Sequence, residues 1–404
     1  YSDASSAYYG GSSDQIIRQL NLIAPWIVAR YDDGTWGTIS DGSPIAWLDS
    51  GMKVNRDNYN FSGMAAVDYE IFGLKLTLQG AYVNNLQNYN YFQKYIKYNE
   101  NKESDPSQLD ERFYKWDRTN YDALLNYNKN FGKHNIKGLL GWHTEKYNYK
   151  YQKAVRKKFP NNELTDMNAG DASTQSNEGY TAELAMISWF ARINYDFAGK
   201  YLLEANIRAD ASSRFAEGHR WGYFPAAAFG WRLSEETFME GTKDWLDNLK
   251  VRLSYGTVGN DGISSDLWSQ TWTSETDLRY QYILNNQYSS SYDLSTEQMA
   301  NKNLKWETTI TRNFGFDFGF LKNRLWGSLD LYWNTTKDLL MLTSLPGITG
   351  FTSTYDNIGQ TSNKGIEFSL SGVIFENKDW NITAGMNINF NKGKVDKLGE
   401  NVTG

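Results

Sequence analysis

Cysteine is absent from the 404-residue chain, which removes disulfides, thiol nucleophiles and cysteine-ligated metal sites. Long apolar runs are missing too. None approaches the roughly 18 residues that a spanning helix requires, and mean hydropathy is -0.64. A helical membrane protein is therefore excluded, whereas a membrane β-barrel is not, because lumen-facing residues dilute the hydrophobicity of each strand. Histidine is scarce, with 3 in the chain. His134, His143 and His219 fall in a short turn, at a strand end and in a long loop, so they form no compact metal pair. Basic excess is lacking: the net charge of -6 argues against nucleic acid as a partner. No charged segment followed by an apolar leader opens the chain. Aromatics, by contrast, are abundant, with 15 Trp, 28 Tyr and 20 Phe making up 16% of residues.

The most organised stretch is Tyr201 to Leu233. Tyr201, Leu203, Ala205, Ile207 and Ala209 alternate with Glu204, Asn206, Arg208 and Asp210. Successive strand side chains point to opposite faces, so this reads as a strand with one apolar and one charged side. A second run repeats the pattern, with Tyr223, Pro225, Ala227, Phe229 and Trp231 on one face. Trp221 and Tyr223 stand near one end of it and Phe229 and Trp231 near the other, as the two aromatic girdles of a lipid-crossing strand would.

In chain order, residues 1–58 show no sustained period and read mostly as extracellular loop, with one short helix over Gln15–Ile23. From residue 59 onward, six hairpins follow. Their connections lie at Ile71–Gly73, Asn130–Lys133, Ala198–Lys200, Ser234–Leu249, Leu321–Arg324 and Glu376–Lys378. Between them lie long polar segments at Asn84–Trp116, Lys146–Gly179, Thr257–Glu307 and Thr336–Asn363. Short and long connections thus alternate, which is the outer-membrane arrangement of short periplasmic turns and long extracellular loops. The expected fold is all-β, a transmembrane antiparallel β-barrel with long extracellular loops, in which 1–404 is part of one barrel domain. A closed barrel of roughly 12 strands and a soluble sugar-binding sandwich are the alternatives.

RADASSRFAEGHRWGYFPAAAFGWRLSEETFM resembles the most recognisable segment of the SusC/RagA family of TonB-dependent outer-membrane transporters of Bacteroidota. The match rests on Arg214, Phe215, Arg220, Trp221, Gly222, Tyr223, Phe224 and Pro225, flanked by Arg208, Asp210, Ser212, Ser213, Trp231 and Arg232. LKVRLSYGTVGN, NLKWETTITRNFGFDFGFLKNRLWGSLDLYWNTTKD and NIGQTSNKGIEFSL resemble the same family in the same order. The resemblance implies a barrel of about 22 strands around a plug. It also implies energy from TonB with ExbB and ExbD, and a SusD-like surface lipoprotein over the mouth. The cargo would be an oligosaccharide or oligopeptide, and transporter–lipoprotein pairs could associate as a dimer. No N-terminal plug domain or TonB-contacting segment is recognisable, so the chain is expected to be an internal part of a longer transporter. The second functional reading is a passive or structural outer-membrane barrel (channel, adhesin or scaffold).

Residue chemistry points away from an enzyme and towards no metal or cofactor. Ser212 and Ser213 lie near Asp210 and His219 in sequence, but no nucleophile-elbow or oxyanion motif accompanies them. Gly256, Gly259 and Gly262 lack phosphate-loop spacing and read as a turn at an outer strand end. Asp32–Asp33–Gly34 and Asp261 lack the spaced carboxylates of a calcium loop. Arg156–Lys157–Lys158 is a solvated charge run that suits contact with lipopolysaccharide phosphates alongside the outer-membrane lipids. The functional candidates are loop aromatics among amides and carboxylates: Trp36, Trp47, Trp268, Trp272, Tyr280 and Tyr282, with Tyr91 and Tyr95. Such rings stack on sugars while the polar groups bond hydroxyls.

Overall fold

The computed structural model describes residues 21, 23–39, 42–272 and 298–398 in full, and only the backbone of short strands at 2–3, 273–275, 282–284, 287–289 and 291–294. The helix expected at Gln15–Ile23 and the candidate Tyr280 lie essentially outside these residues, and Tyr282 is described by its backbone alone.

Twelve long strands dominate. They are β1 (Val54–Ile71), β2 (Leu74–Gln93), β3 (Gln108–Phe131), β4 (His134–Lys157), β5 (Asp171–Phe197) and β6 (Tyr201–Ser212). The remainder are β7 (Trp221–Arg232), β8 (Leu246–Asn260), β9 (Glu307–Phe320), β10 (Leu325–Ser344), β11 (Ser353–Glu376) and β12 (Asn381–Lys397). Each pairs with the next in one sheet, and every described register between consecutive members is antiparallel. Among the described residues the order is an open path.

The short connections follow from backbone sterics. Between β1 and β2, Phe72 (φ 51) and Gly73 (φ 78) both adopt the left-handed region. Two such residues make the primed turn whose twist matches that of the flanking strands. Ala198 (φ 54) and Gly199 (φ 68) do the same between β5 and β6. The β7–β8 connection is longer and holds two 3-10 turns, at Leu233–Glu235 and Thr237–Thr242.

The outer connections differ from expectation. β2 continues to Gln93 and β3 begins at Gln108, β4 reaches Lys157 and β5 starts at Asp171, and β10 and β11 come within eight residues of each other. The strands therefore occupy most of those three segments, whereas Thr257–Glu307 stays a long connection between β8 and β9 as expected, and β1 begins at Val54, inside the expected 1–58 loop. At about 3.3 Å per residue, a 24-residue strand extends about 80 Å. The apolar band of a barrel is only about 25 Å tall. Beyond that band no lipid holds one face apolar, so pairing persists while the alternation of aliphatic and polar residues fades.

Two compact units make up the chain, residues 1–64, 81–119 and 147–183, and residues 65–80, 120–146 and 184–404. In the second unit the register lays Tyr195, Leu203, Phe229, Leu253 and Phe314 side by side across β5–β9, while Asn194, Glu204, Ala228, Ser254 and Asn313 form the adjacent row on the other face. On this second face Arg252 crosses Gly315 to reach two carboxylates, with Nε 2.9 Å from Asp317 Oδ2 and Nη2 3.0 Å from Asp330 Oδ2. A Cβ on residue 315 would lie 2.6 Å from Asp330 Oδ1 and 2.9 Å from Arg252 Cζ, so only glycine leaves the passage open.

The first unit carries its own small cores. Helix α1 (Pro44–Asp49) is capped by Ser43 Oγ, which accepts from the Ala46 amide at 3.4 Å. It seats Ala46 and Trp47 among Met52, Val54, Tyr91 and Tyr98. A second cluster joins Phe92, Leu109 and Phe159.

Candidate functional site

In the first unit, β3, β4 and β5 bring rings together on one face. Alternation along β3 places Arg112, Tyr114, Trp116 and Arg118 on that face and Lys115 and Asp117 on the other. On the latter, Asp117 accepts from Tyr82 Oη at 2.7 Å and Asn84 Nδ2 at 2.6 Å and pairs with Lys115 at 2.9 Å. On the former, Tyr114 and Trp116 stack with centroids 5.6 Å apart and planes 5° from parallel. Tyr151 lies 5.1 Å from Tyr114, and Tyr149 lies 5.7 Å from Trp116. Tyr180 completes the set, 5.5 Å from both Tyr149 and Tyr151. Five rings from three adjacent strands thus form one continuous aromatic platform.

The platform borders a groove of about 1130 Å³ whose lining includes Tyr89, Arg112, Tyr151, Glu178 and Tyr180. A second groove of about 560 Å³ is lined by Trp116, Tyr147, Arg118 and the amides Asn58, Asn60 and Asn85. Polar groups fix the edges, in the strand ends that extend past the apolar band. Tyr151 Oη donates to Glu178 Oε1 at 3.0 Å, and Lys153 Nζ lies 3.3 Å from the same oxygen. The bond from Tyr151, with Lys153 beside it, holds the Glu178 carboxyl below its ordinary value. Desolvation, then the Glu178 bond, pushes the Tyr151 phenol up to about 12. Arg112 is bound bidentately by the buried Asp110, at 2.8 and 2.7 Å, with its guanidinium 4.7 Å from the Tyr89 ring centroid. The Asp110 bonds raise the Arg112 pKa further. Glu178 and Arg112 therefore stay charged, and Tyr151 neutral, throughout the physiological range.

Of the residues singled out in the sequence, Trp36 and Trp47 come together in the α1 core. Trp47 is 3% exposed and its Nε1 donates to Tyr98 Oη at 2.7 Å, so it packs inside the protein and presents no face to a ligand. Trp36 is half-buried against that core, its ring 4.8 Å from the Arg30 guanidinium. Tyr91 is likewise buried, while Tyr95 donates to Glu103 at 2.5 Å. In the second unit Trp268 is partly buried, and Trp272 is 64% exposed. Sequence reading misses the platform rings because they lie in strand extensions that look like loop. Their signal is Tyr114-x-Trp116 and Tyr147-x-Tyr149-x-Tyr151, ring residues repeating at the strand period.

The motif residues Arg214–Pro225 take two separate parts. Phe215 and Phe224 are buried with Leu267, Leu304 and Trp306. Trp306 Nε1 donates to Arg220 O at 2.8 Å, Arg220 Nε donates to Phe215 O at 3.2 Å, and Arg214 Nη1 donates to Ile263 O. Gly222 gives the Phe224 ring its room. Trp221, Tyr223 and Pro225 alternate with these and are exposed on the other face, Tyr223 by 66%. The segment is therefore a clasp that ties the β6–β7 loop to the strands behind it. Ser212 Oγ donates to Asp261 at 2.7 Å, with Arg214 Nε 3.5 Å from the same oxygen. Asp33 is taken up by Thr35, whose amide donates to it at 2.9 Å. Gly256 and Gly259 lie within β8, a correction to their reading as a turn: they make room for cross-strand side chains. Arg156 and Lys157 likewise end strand β4, where Arg156 Nη1 donates to Met167 O at 3.3 Å.

Comparison with known proteins matches this geometry. A family model described as TonB dependent receptor-like, beta-barrel, covers residues 5–404. TonB-dependent receptor P39 of Formosa agariphila is 34% identical over 290 residues, covering 71% of this chain and 27% of the relative. TonB-dependent receptor SusC of Bacteroides thetaiotaomicron is 30% identical over 380 residues, covering 89% of this chain and 35% of the relative. Among solved structures, that of the RagAB peptide transporter aligns with a TM-score of 0.79 at 26% identity, over 95% of this chain and 41% of that one. The chain thus spans about a third or less of the curated relatives it matches.

Proposed function

The chain belongs to the TonB-dependent receptor-like β-barrel family, as part of a transmembrane barrel of the bacterial outer membrane, and on that premise we propose that it serves active import of an oligosaccharide. In this reading the platform of Tyr114, Trp116, Tyr149, Tyr151 and Tyr180 is the surface on which the cargo rests before transport. One observation carries it: five rings in mutual contact, flanked by amides, with no catalytic constellation beside them among the described residues. Aromatic faces offer large rigid contact area, and nearby amides exchange hydrogen bonds with hydroxyls. Counting along the strands, the platform holds the parity opposite to the exposed apolar Tyr121 on β3 and Leu140 on β4. That parity is the lumen-facing one in a lipid-embedded barrel. Import through a lumen needs such a surface, and an adhesin or scaffold does not.

Partners follow from the family. A SusD-like lipoprotein closes over the cargo, and TonB with ExbB and ExbD supplies the energy through segments outside this chain. Similarity to SusC supports this assembly. A second reading, oligopeptide cargo, is supported by the likeness to the RagAB peptide transporter.

The test is native mass spectrometry of the complete transporter, extracted gently from outer membrane, as wild type and as the Trp116→Ala/Tyr151→Ala pair. A retained oligosaccharide mass that disappears in the double variant, with the barrel still folded, is the expected result. A peptide mass selects the second reading. A ligand retained equally by both proteins removes the platform from the pathway.

A further inference from the structure

In the larger groove beside the platform the platform-face cations carry their own carboxylates, and we infer that this groove selects chains of uncharged sugar rings over acidic ones. This inference rests on the platform being the cargo surface.

Three cations line the larger groove, Arg112, Lys150 and Lys153. Lys150 sits between Tyr149 and Tyr151 on β4 and by alternation belongs to the other face, as does Glu111 on β3. Glu111 is already engaged there, accepting from Asn90 at 3.0 Å. On the platform face Arg112 is held bidentately by Asp110, and Lys153 is paired with Glu178. Each of the two platform-face cations that line the larger groove thus has its own carboxylate within bonding distance.

The consequence for specificity is electrostatic. A uronate or sulfate entering the groove finds the guanidinium of Arg112 with its Nε and one Nη already donating to Asp110, and an ammonium already facing Glu178. To gain either cation, the anion must displace a carboxylate: Glu178, which is exposed but already accepts from Tyr151 and faces Lys153, or Asp110. Asp110 is 4% exposed and cannot swing into water. An anion that leaves those pairs intact sheds its hydration against cations whose charge is already offset, which is less favourable than binding a free cation. A neutral ring loses nothing of this kind. It covers the aromatic faces and bonds to Tyr151 Oη, Glu178 and the neighbouring amides. The carboxylate of Glu178 is an acceptor for sugar hydroxyls and repels an anionic substituent at the same point. Glu178 is therefore the specificity-determining residue of this assignment.

The experiment offers the complete transporter two probe pools of equal chain length, neutral hexose oligosaccharides and hexuronate oligosaccharides, at low salt, with retained mass and affinity as readouts. Wild type is expected to favour the neutral pool by about tenfold. Glu178→Gln leaves Lys153 without its carboxylate and is expected to shift the acidic-to-neutral ratio towards the acidic pool by about two- to fivefold, as exposed ion pairs do. That shift should shrink at 0.5 M salt through screening. Acidic chains binding as well as neutral ones, with Trp116→Ala abolishing both, would overturn the charge inference and leave the platform in place. Affinity indifferent to Trp116→Ala, or neither pool retained, would remove the platform reading and this inference with it.

Discussion

Replacing Gly259 with alanine probes the clasp that holds the outer end of β6 and β7. A Cβ at residue 259 would lie 2.0 Å from Cζ of Phe224, 2.5 Å from Cε1 and 2.7 Å from Cε2. The ring has little room to retreat, because it lies close against the Gly222 backbone, where even a methyl group would clash with it, and Trp306 packs edge-on at 5.4 Å. Overpacking of this kind costs about 1–3 kcal/mol. Gly256 is the comparison: its added Cβ meets only Ala226 Cβ, at 3.2 Å, a milder crowding, and alanine there should cost clearly less than at Gly259. The assay is limited trypsinolysis of the full transporter at Arg214 and Arg220, which lie in the loop secured by Phe215 and Trp306. When opening is fast relative to cleavage, the rate follows the open population. A loss of 1–3 kcal/mol therefore means cleavage about 5- to 150-fold faster. Phe224→Leu should soften the effect, giving a coupling of about 1–2 kcal/mol between the two positions. Cleavage of Gly259→Ala at the wild-type rate, or a double variant that is simply the sum of the singles, would refute the clasp.

Two further outcomes are expected. Trp47→Ala removes a ring that is 3% exposed and strips Tyr98 Oη of its indole donor. It should destabilise the α1 core by about 3–5 kcal/mol and speed hydrogen exchange over residues 42–54, whereas Trp272→Ala should leave exchange unchanged. Unaltered exchange in Trp47→Ala would return that residue to the surface. For pH, Glu178 has a lowered pKa, so its bond is present above the ordinary carboxylate range and is lost as pH falls through the folded value. Tyr151 has the opposite sign: its contribution holds below the ordinary phenol value and is lost as pH rises through about 12. Cargo affinity measured by calorimetry should accordingly be flat from about pH 6 to about pH 9, and a change beyond about threefold would mean that another group titrates in the site.

Similarity to TonB-dependent receptors also gives the motif segment a structural meaning. Its most recognisable residues divide between a buried clasp and an exposed apolar face, and none of them borders the platform groove. Within this chain the recognisable segment and the candidate cargo surface are different residues.

By itself the sequence determined the class of fold. Period-two alternation at Tyr201–Asp210 and Trp221–Trp231 is imposed by lipid on one face and polar surroundings on the other, and short turns such as Phe72–Gly73 are marked by a glycine suited to left-handed backbone. The family was legible through the RF…RWGYFP segment, whose Phe215 and Phe224 are packed in the clasp. Tertiary structure alone decided where the strands end and which rings meet. Outside the lipid band nothing forces apolar and polar residues to alternate, so β2 to β5 run on through stretches that look like loop. Trp47 and Trp116 are both aromatics in stretches that read as loop from the sequence. One is drawn into a core by α1 and Tyr98, and the other is left on an open face because its partners, Tyr114 and Tyr149, arrive from its own strand and from the strand beside it. Composition can supply such rings, but only strand register brings them into contact.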